Sequence, residues 1–182
     1  MMHPLPSVFL MELDIPEGFV TQLNEYLDGL LEQEGRRTAA DTLVGQIHEG
    51  EQLRMDCDHA LVAGFSGFVR SMGVEYINAF MKGSGQALDG NRNVEIDDLW
   101  SVHSYEGDYN PIHDHGTKTI MGISCTTWTK VPPQIEQGPR PGSEDYGLYN
   151  ASGESDGCLC FNYGQSSQWD KERLKPTQNI VV

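Results

Sequence analysis

The sequence predicts an α+β domain that is mainly β, with helices at its N-terminal end buttressing a sheet. Three observations predict it. Two stretches early in the chain carry apolar residues at three- and four-residue steps. From Val94 onward the texture changes to short β-branched and alternating runs. Pro- and Gly-rich connections separate those runs. One domain over residues 1–182 is expected, helical through 1–93 and β through 94–182.

The first element is a strand, "VFLMELDI", in which Phe9, Met11 and Leu13 alternate with their neighbours. Helix follows over Pro16 to Glu34, where Phe19, Val20, Leu23, Tyr26, Leu27, Leu30 and Leu31 form one stripe. Asp14 is the expected cap and Gly35 the stop. Arg36 to Asp56 is polar, and Gly45 and Gly50 mark it as irregular. The second helix spans Asp58 to Lys82 on Leu61, Val62, Phe65, Phe68, Val69, Met72, Tyr76, Ile77 and Phe80. Gly64, Gly67 and Gly73 weaken it by up to ~1 kcal/mol each relative to alanine, or admit close packing against a sheet. A loop is expected from Gly83 to Asn93.

The β half reads in order. "VEIDDLWSVHSYEG" alternates, "KTIMGISCTTWTKV" is β-branched from Lys118 to Val131, and "VPPQIEQGPRPGSEDYG" is a connection. "GCLCFNYG" is a strand whose Cys158 and Cys160 share one face as small core residues. "QNIVV" opens one more strand, which either pairs within a sheet or marks a domain that continues past Val182.

Composition narrows the function. With 12 Lys and Arg against 27 Asp and Glu, the formal charge is -15. Such a surface repels nucleic acid and anionic membranes, so nucleic acid is not an expected partner. No apolar run approaches the ~20 residues of a membrane span. The start carries no basic leader, so the cytoplasm is the expected location. Four cysteines without C-x-x-C spacing suggest neither a zinc knuckle nor a disulfide framework. No G-x-S-x-G, phosphate-loop or dinucleotide fingerprint occurs.

One stretch carries chemistry: "SYEGDYNPIHDHGTK", Ser104 to Lys118. His113 and His115 at i, i+2 project to one side of a strand, where two imidazoles can meet one cation at ~2.0–2.1 Å. Asp114 between them faces the other way on a regular strand, and is either an outer partner or the second ligand in place of His115. Gly107, Asp108 and Asn110 suit a turn, Pro111 fixes the approach and Gly116 ends the motif. Spacing alone leaves a solvated polar loop open as the other reading. His48, His59 and His103 stand isolated, and Lys118 and Lys130 read as solvated charges.

With these residues in order, the run from Leu99 to Pro132 resembles the metal-binding half of the non-haem Fe(II)- and 2-oxoglutarate-dependent oxygenases, in a bacterial and phage branch with an H-x-H motif. Tyr105, Gly107, His113 and His115 carry the likeness. "GISCTTWTKVP" stands where the family has its next core strand, and "DGCLCFNYG" is similar to a later one. The resemblance covers about Leu99 to Val182. It implies a double-stranded β-helix, a cupin-like jelly roll with iron at its mouth. It also implies Fe(II) as cofactor, 2-oxoglutarate as cosubstrate, and succinate and carbon dioxide as co-products of substrate hydroxylation. His113 and His115 become the metal ligands. Tyr105 matches a tyrosine found near 2-oxoglutarate in this fold, and Thr126 and Trp128, of one parity on the next strand, are expected to line the cavity; a core aromatic is the other reading of Tyr105 and Trp128.

Two departures follow. The wider superfamily has a carboxylate where His115 stands. No histidine follows His115, so the distal ligand and the basic residue for 2-oxoglutarate are expected past Val182. The expected substrate is a small molecule or a peptide, and homodimerisation is left open. The rivals are a non-catalytic cupin-like binding module and a three-histidine cupin enzyme without 2-oxoglutarate.

Overall fold

The computed structural model describes residues 10–83, 85, 93–113, 115, 122–137, 157–162, 171–174 and 179–181. In chain order the elements are β1 (Glu12–Asp14), α1 (Glu17–Glu32), a 3-10 turn (Ala40–Thr42), β2 (Glu51–Arg54), α2 (Ala60–Gly83), β3 (Trp100–His103), β4 (Thr126–Thr127), α3 (Pro133–Gln137), β5 (Leu159–Asn162), β6 (Lys171–Leu174) and β7 (Asn179–Val181). They fall into two compact units. One comprises Met1–Pro16 with Cys125–Val182, and the other Glu17–Ser124.

The 17–124 unit holds both long helices. In α1 the expected stripe buries Val20, Leu23 and Leu30, and Gly35 just beyond its end takes φ +73°, a value open to glycine at little cost. Asp14 is not its cap. It lies in β1 opposite Asn179, and Glu17 instead supplies the negative charge in the helix's first turn. In α2 the buried positions are Val62, Phe65, Gly73, Ile77 and Met81. Phe19 of α1 meets Phe65 edge-on at 6.1 Å and Phe68 at 5.9 Å, so aromatic contact joins the helices. Of the three glycines expected to ease packing, only Gly73 has a close neighbour: its Cβ position lies 3.0 Å from Val94 Cγ1, whereas Gly64 and Gly67 face open space.

The segment read as irregular contains a strand. β2 pairs antiparallel with β3, Glu51 opposite His103, Leu53 opposite Ser101 and Arg54 opposite Trp100. Leu53 is 1 % exposed and Gln52 is 4 % exposed. One apolar residue among Glu, Gln and Arg gives no alternation to detect, and the strand exists because β3 satisfies its backbone. Ala39 N–H donates to Gln52 O and Arg54 N–H to Arg37 O, tying the preceding chain to the other edge of β2. Arg54 reaches both carboxylate oxygens of Asp98, at 2.7 and 3.0 Å, and Thr42 Oγ1 at 3.0 Å.

In the other unit β7 is the central strand of a three-stranded antiparallel sheet of order β1-β7-β4. Ile180 lies opposite both Leu13 and Thr127. The apolar C-terminal run is therefore paired on two sides. β5 and β6 form a separate two-stranded ribbon. Cys160 on β5 is exposed and Cys158 before it is half-buried, so neither is the core residue expected. α3 occupies the start of the expected connection. Of the long strand expected over 118–131, only Thr126–Thr127 is paired, residues 122–125 and 128–131 are without regular structure, and 118–121 lie outside the described residues. So do Phe9, most of the 83–93 loop, Asp114, Gly116 and Lys118. Among the described residues no helix is long and apolar enough to cross a membrane.

Candidate metal centre

β3 delivers the chain into the site region. After His103 the backbone turns through Tyr105–Asp108, with Asp108 N–H donating to Tyr105 O at 3.1 Å. Gly107, third in that turn, has φ +87°, the value a type II turn demands at this position. Tyr109 then pairs with Gln46 through two backbone bonds, Gln46 N–H to Tyr109 O at 2.8 Å and Tyr109 N–H to Gln46 O at 3.2 Å. Asn110 Oδ1 lies 2.5 Å from where a Cβ on Gly45 would stand, so a side chain at 45 would require the Asn110 and Gln52 side chains to shift.

Asp108 organises this crossing. Its Oδ1 accepts from His48 N–H at 2.6 Å and Glu49 N–H at 3.2 Å. Its Oδ2 accepts from Gly50 N–H at 2.9 Å and Tyr105 N–H at 3.0 Å. Four backbone donors hold the charged form, led by His48 and then Tyr105, and keep the carboxyl down at about 2. The sequence shows Asp108 only as a turn residue. Its partners at 48–50 are distant in the chain, and the readable hint is Gly50 beside a polar loop.

A carboxyl held below its ordinary 3.8 stabilises the fold above that value, and the contribution is lost as pH falls towards about 2. The thermal midpoint of the wild type should therefore drop more between pH 4 and pH 2 than that of Asp108→Asn, the gap closing at the acid end. Glu51, also lowered, adds the same slope to both proteins, so parallel curves would refute the assignment to Asp108.

Past the turn, Pro111 and the histidines follow without regular secondary structure. The strand geometry expected at His113 and His115 is thus absent, yet their rings converge. The Nε2 atoms are 3.1 Å apart and the ring centroids 5.0 Å, at 33°. His113 Nδ1 lies 2.7 Å from Pro111 O. A carbonyl can only accept, so Nδ1 of His113 carries the proton and its Nε2, in the neutral ring, presents a lone pair towards His115. His115 then donates from Nε2. Both side chains are exposed.

This arrangement suits a cation. Two nitrogens 3.1 Å apart, each ~2.0–2.1 Å from one ion, subtend about 95–100° there, between octahedral and tetrahedral values. A carbonyl on the far nitrogen is the usual outer partner of a metal-bound imidazole. His115 needs only to move its proton from Nε2 to Nδ1. Among the described residues no group of three or more His, Cys, Asp or Glu side chains gathers to hold a metal.

The expected cosubstrate residues are placed as follows. Tyr105 is 61 % exposed; its backbone is tied to Asp108 through both its N–H and its carbonyl. Thr126 lies in β4 of the other unit and is exposed, and Trp128 two residues on is half-buried. A cleft of about 150 Å³ in the 17–124 unit is walled by Thr38, Gly45, Gly50, Gln52 and Glu51. Its one charged lining residue, Glu51, is paired with Arg36. Two of the expected ligands, His113 and His115, stand where one cation could meet both nitrogens.

His103, set aside in the sequence, joins a polar network on β2 and β3. Its Nε2 lies 3.0 Å from Ser101 Oγ. Glu51, opposite it, is gripped by Arg36 through Nε at 2.8 Å and Nη2 at 2.5 Å. The Arg36 bond lowers the Glu51 carboxyl, with a smaller contribution from His103. Ser101 is buried, so this network serves the strand pair.

No model of a protein family, no characterised protein and no solved structure matches the chain.

Proposed function

We propose that the protein is a non-haem Fe(II)- and 2-oxoglutarate-dependent oxygenase, cytoplasmic, acting on a small molecule or peptide, with His113 and His115 as two of its metal ligands. The observation that carries the reading is the convergence of the two Nε2 atoms, with His113 oriented by Pro111 O. The H-x-H resemblance supplies the choice of iron and 2-oxoglutarate. When bound, the iron would supply the oxidising chemistry. The chain's own part is to present two nitrogens at a cis angle and leave the remaining positions open. The net charge of -15 disfavours a nucleic acid substrate.

The second reading is a cupin-like module that binds without catalysis. The exposure of both His113 and His115 favours it. Anaerobic addition of Fe(II) and then 2-oxoglutarate separates the two. The oxygenase should develop the weak visible charge-transfer band of a chelated 2-oxo acid, and admission of air with substrate should release succinate. A three-histidine enzyme would bind iron and release no succinate. Absence of both iron binding and the band would leave the binding module.

A further inference from the structure

We propose that Asp108 is the positioning residue of the histidine pair, acting through the backbone between them; this rests on reading His113 and His115 as metal ligands. The case is a continuous set of contacts. The Asp108 carboxylate fastens the 48–50 loop to the Tyr105 turn through its four N–H bonds. The next residue, Tyr109, is paired on both sides to Gln46. Asn110 follows, packed where Gly45 leaves room. Pro111, with its fixed φ, then supplies the carbonyl that sets the His113 proton and ring.

His113 and His115 have no strand ladder of their own. Apart from its contact with His115, the anchoring described for His113 is Pro111 O. The place of Pro111 is in turn set by the crossing that Asp108 fastens. Loosening the crossing lets the carbonyl swing and frees His113 to turn its Nε2 away. A two-point site is sensitive to this, because each ligand must meet the ion within a few tenths of an ångström.

Asp108→Asn is the direct test. The amide keeps one acceptor oxygen and places an NH2 group against two backbone donors, so part of the clasp opens while side-chain size is kept. Cobalt(II) is the probe, followed by its visible absorption on the full chain at neutral pH, with far-UV circular dichroism confirming the fold. The wild type should bind one equivalent through the pair. Asp108→Asn should bind about 10–100-fold more weakly, the range seen when an orienting partner is removed. Asp98→Asn, which loses the ion pair and one of the two hydrogen bonds with Arg54 in the same unit, is the control for general destabilisation and should bind as wild type does.

Unchanged affinity in Asp108→Asn, or an equal loss in Asp98→Asn, overturns the positioning role and leaves the metal site standing. No binding by the wild type overturns the metal site and this inference together. Should Asp108→Asn fail to fold, Asp108→Glu takes its place: it keeps both oxygens on a longer arm and should show a smaller loss in the same direction.

Discussion

His113→Ala is expected to weaken cobalt(II) or iron(II) binding by at least about 100-fold, beyond the range for orienting partners, while leaving the thermal midpoint close to wild type. Both parts follow from the geometry. The imidazole supplies one of the two nitrogens that converge at 3.1 Å, so its removal leaves a single exposed histidine, which holds a divalent ion poorly. The same ring is exposed and bonded only to Pro111 O and His115 among the contacts described for it, so the fold loses little; surface substitutions away from core, cap and clasp usually cost under about 0.5 kcal/mol. His115→Ala should behave in the same way. A site in which Asp114 rather than His115 is the second ligand predicts otherwise: His115→Ala would then keep most of its affinity and Asp114→Ala would lose it. Isothermal titration of the three variants decides between these ligand pairs. Equal, unaltered binding by all three would remove the metal centre from the protein.

How much of this was legible in the sequence depends on the range of the interaction. The stripe of α1 and the recurring apolar positions of α2 are local, three and four residues apart, and the helices lie where those steps place them. β2 is not local. Gln52 and Leu53 are buried because β3 pairs with them from across α2, and nothing within "EQLR" signals that. Asp14 failed as a cap for the same reason: pairing to Asn179 claimed it for a strand. At the site, the histidine pair was visible from spacing, although the strand offered to explain it was not the cause. The rings meet with His113 bonded to Pro111 O, beyond the Tyr105–Asp108 turn. That turn was half legible, since Gly107 announces a left-handed residue, while the role of Asp108 depends on three amides 58 to 60 residues away. The jelly roll implied by the H-x-H resemblance belongs to the proposed function, and the small sheets described here neither require it nor conflict with it.

Gly50→Ala is expected to be the most damaging glycine-to-alanine substitution among the described residues of the 17–124 unit. A Cβ on residue 50 would overlap the carbonyl oxygen of His103 and stand 2.8 Å from its carbonyl carbon and 2.9 Å from Asp108 Oδ2. The first two are backbone atoms of β3, directly beside the Glu51–His103 pair, so no rotamer change relieves the clash. One strand must move. Moving it parts Glu51 from His103 and draws Gly50 N–H off Asp108, so steric cost and hydrogen-bond loss fall together. Overpacking a fixed site costs typically about 1–3 kcal/mol and sometimes more, and a clash against main chain belongs at or above the top of that range. Gly107→Ala supplies the comparison. There the Cβ meets nothing within 4 Å, and only the φ of +87° opposes it, a backbone penalty of about 1–2 kcal/mol. Urea unfolding should thus rank the midpoints wild type, Gly107→Ala, Gly50→Ala, with the slope unchanged if the unfolded state is the same. Equal midpoints for the two glycine variants would mean that β2 and β3 do not approach as closely at this point as described. If the ranking holds, cobalt(II) affinity should fall in Gly50→Ala as well, because the displaced strand end is the one that leads through Asp108 and Tyr109 to Pro111 and the histidines.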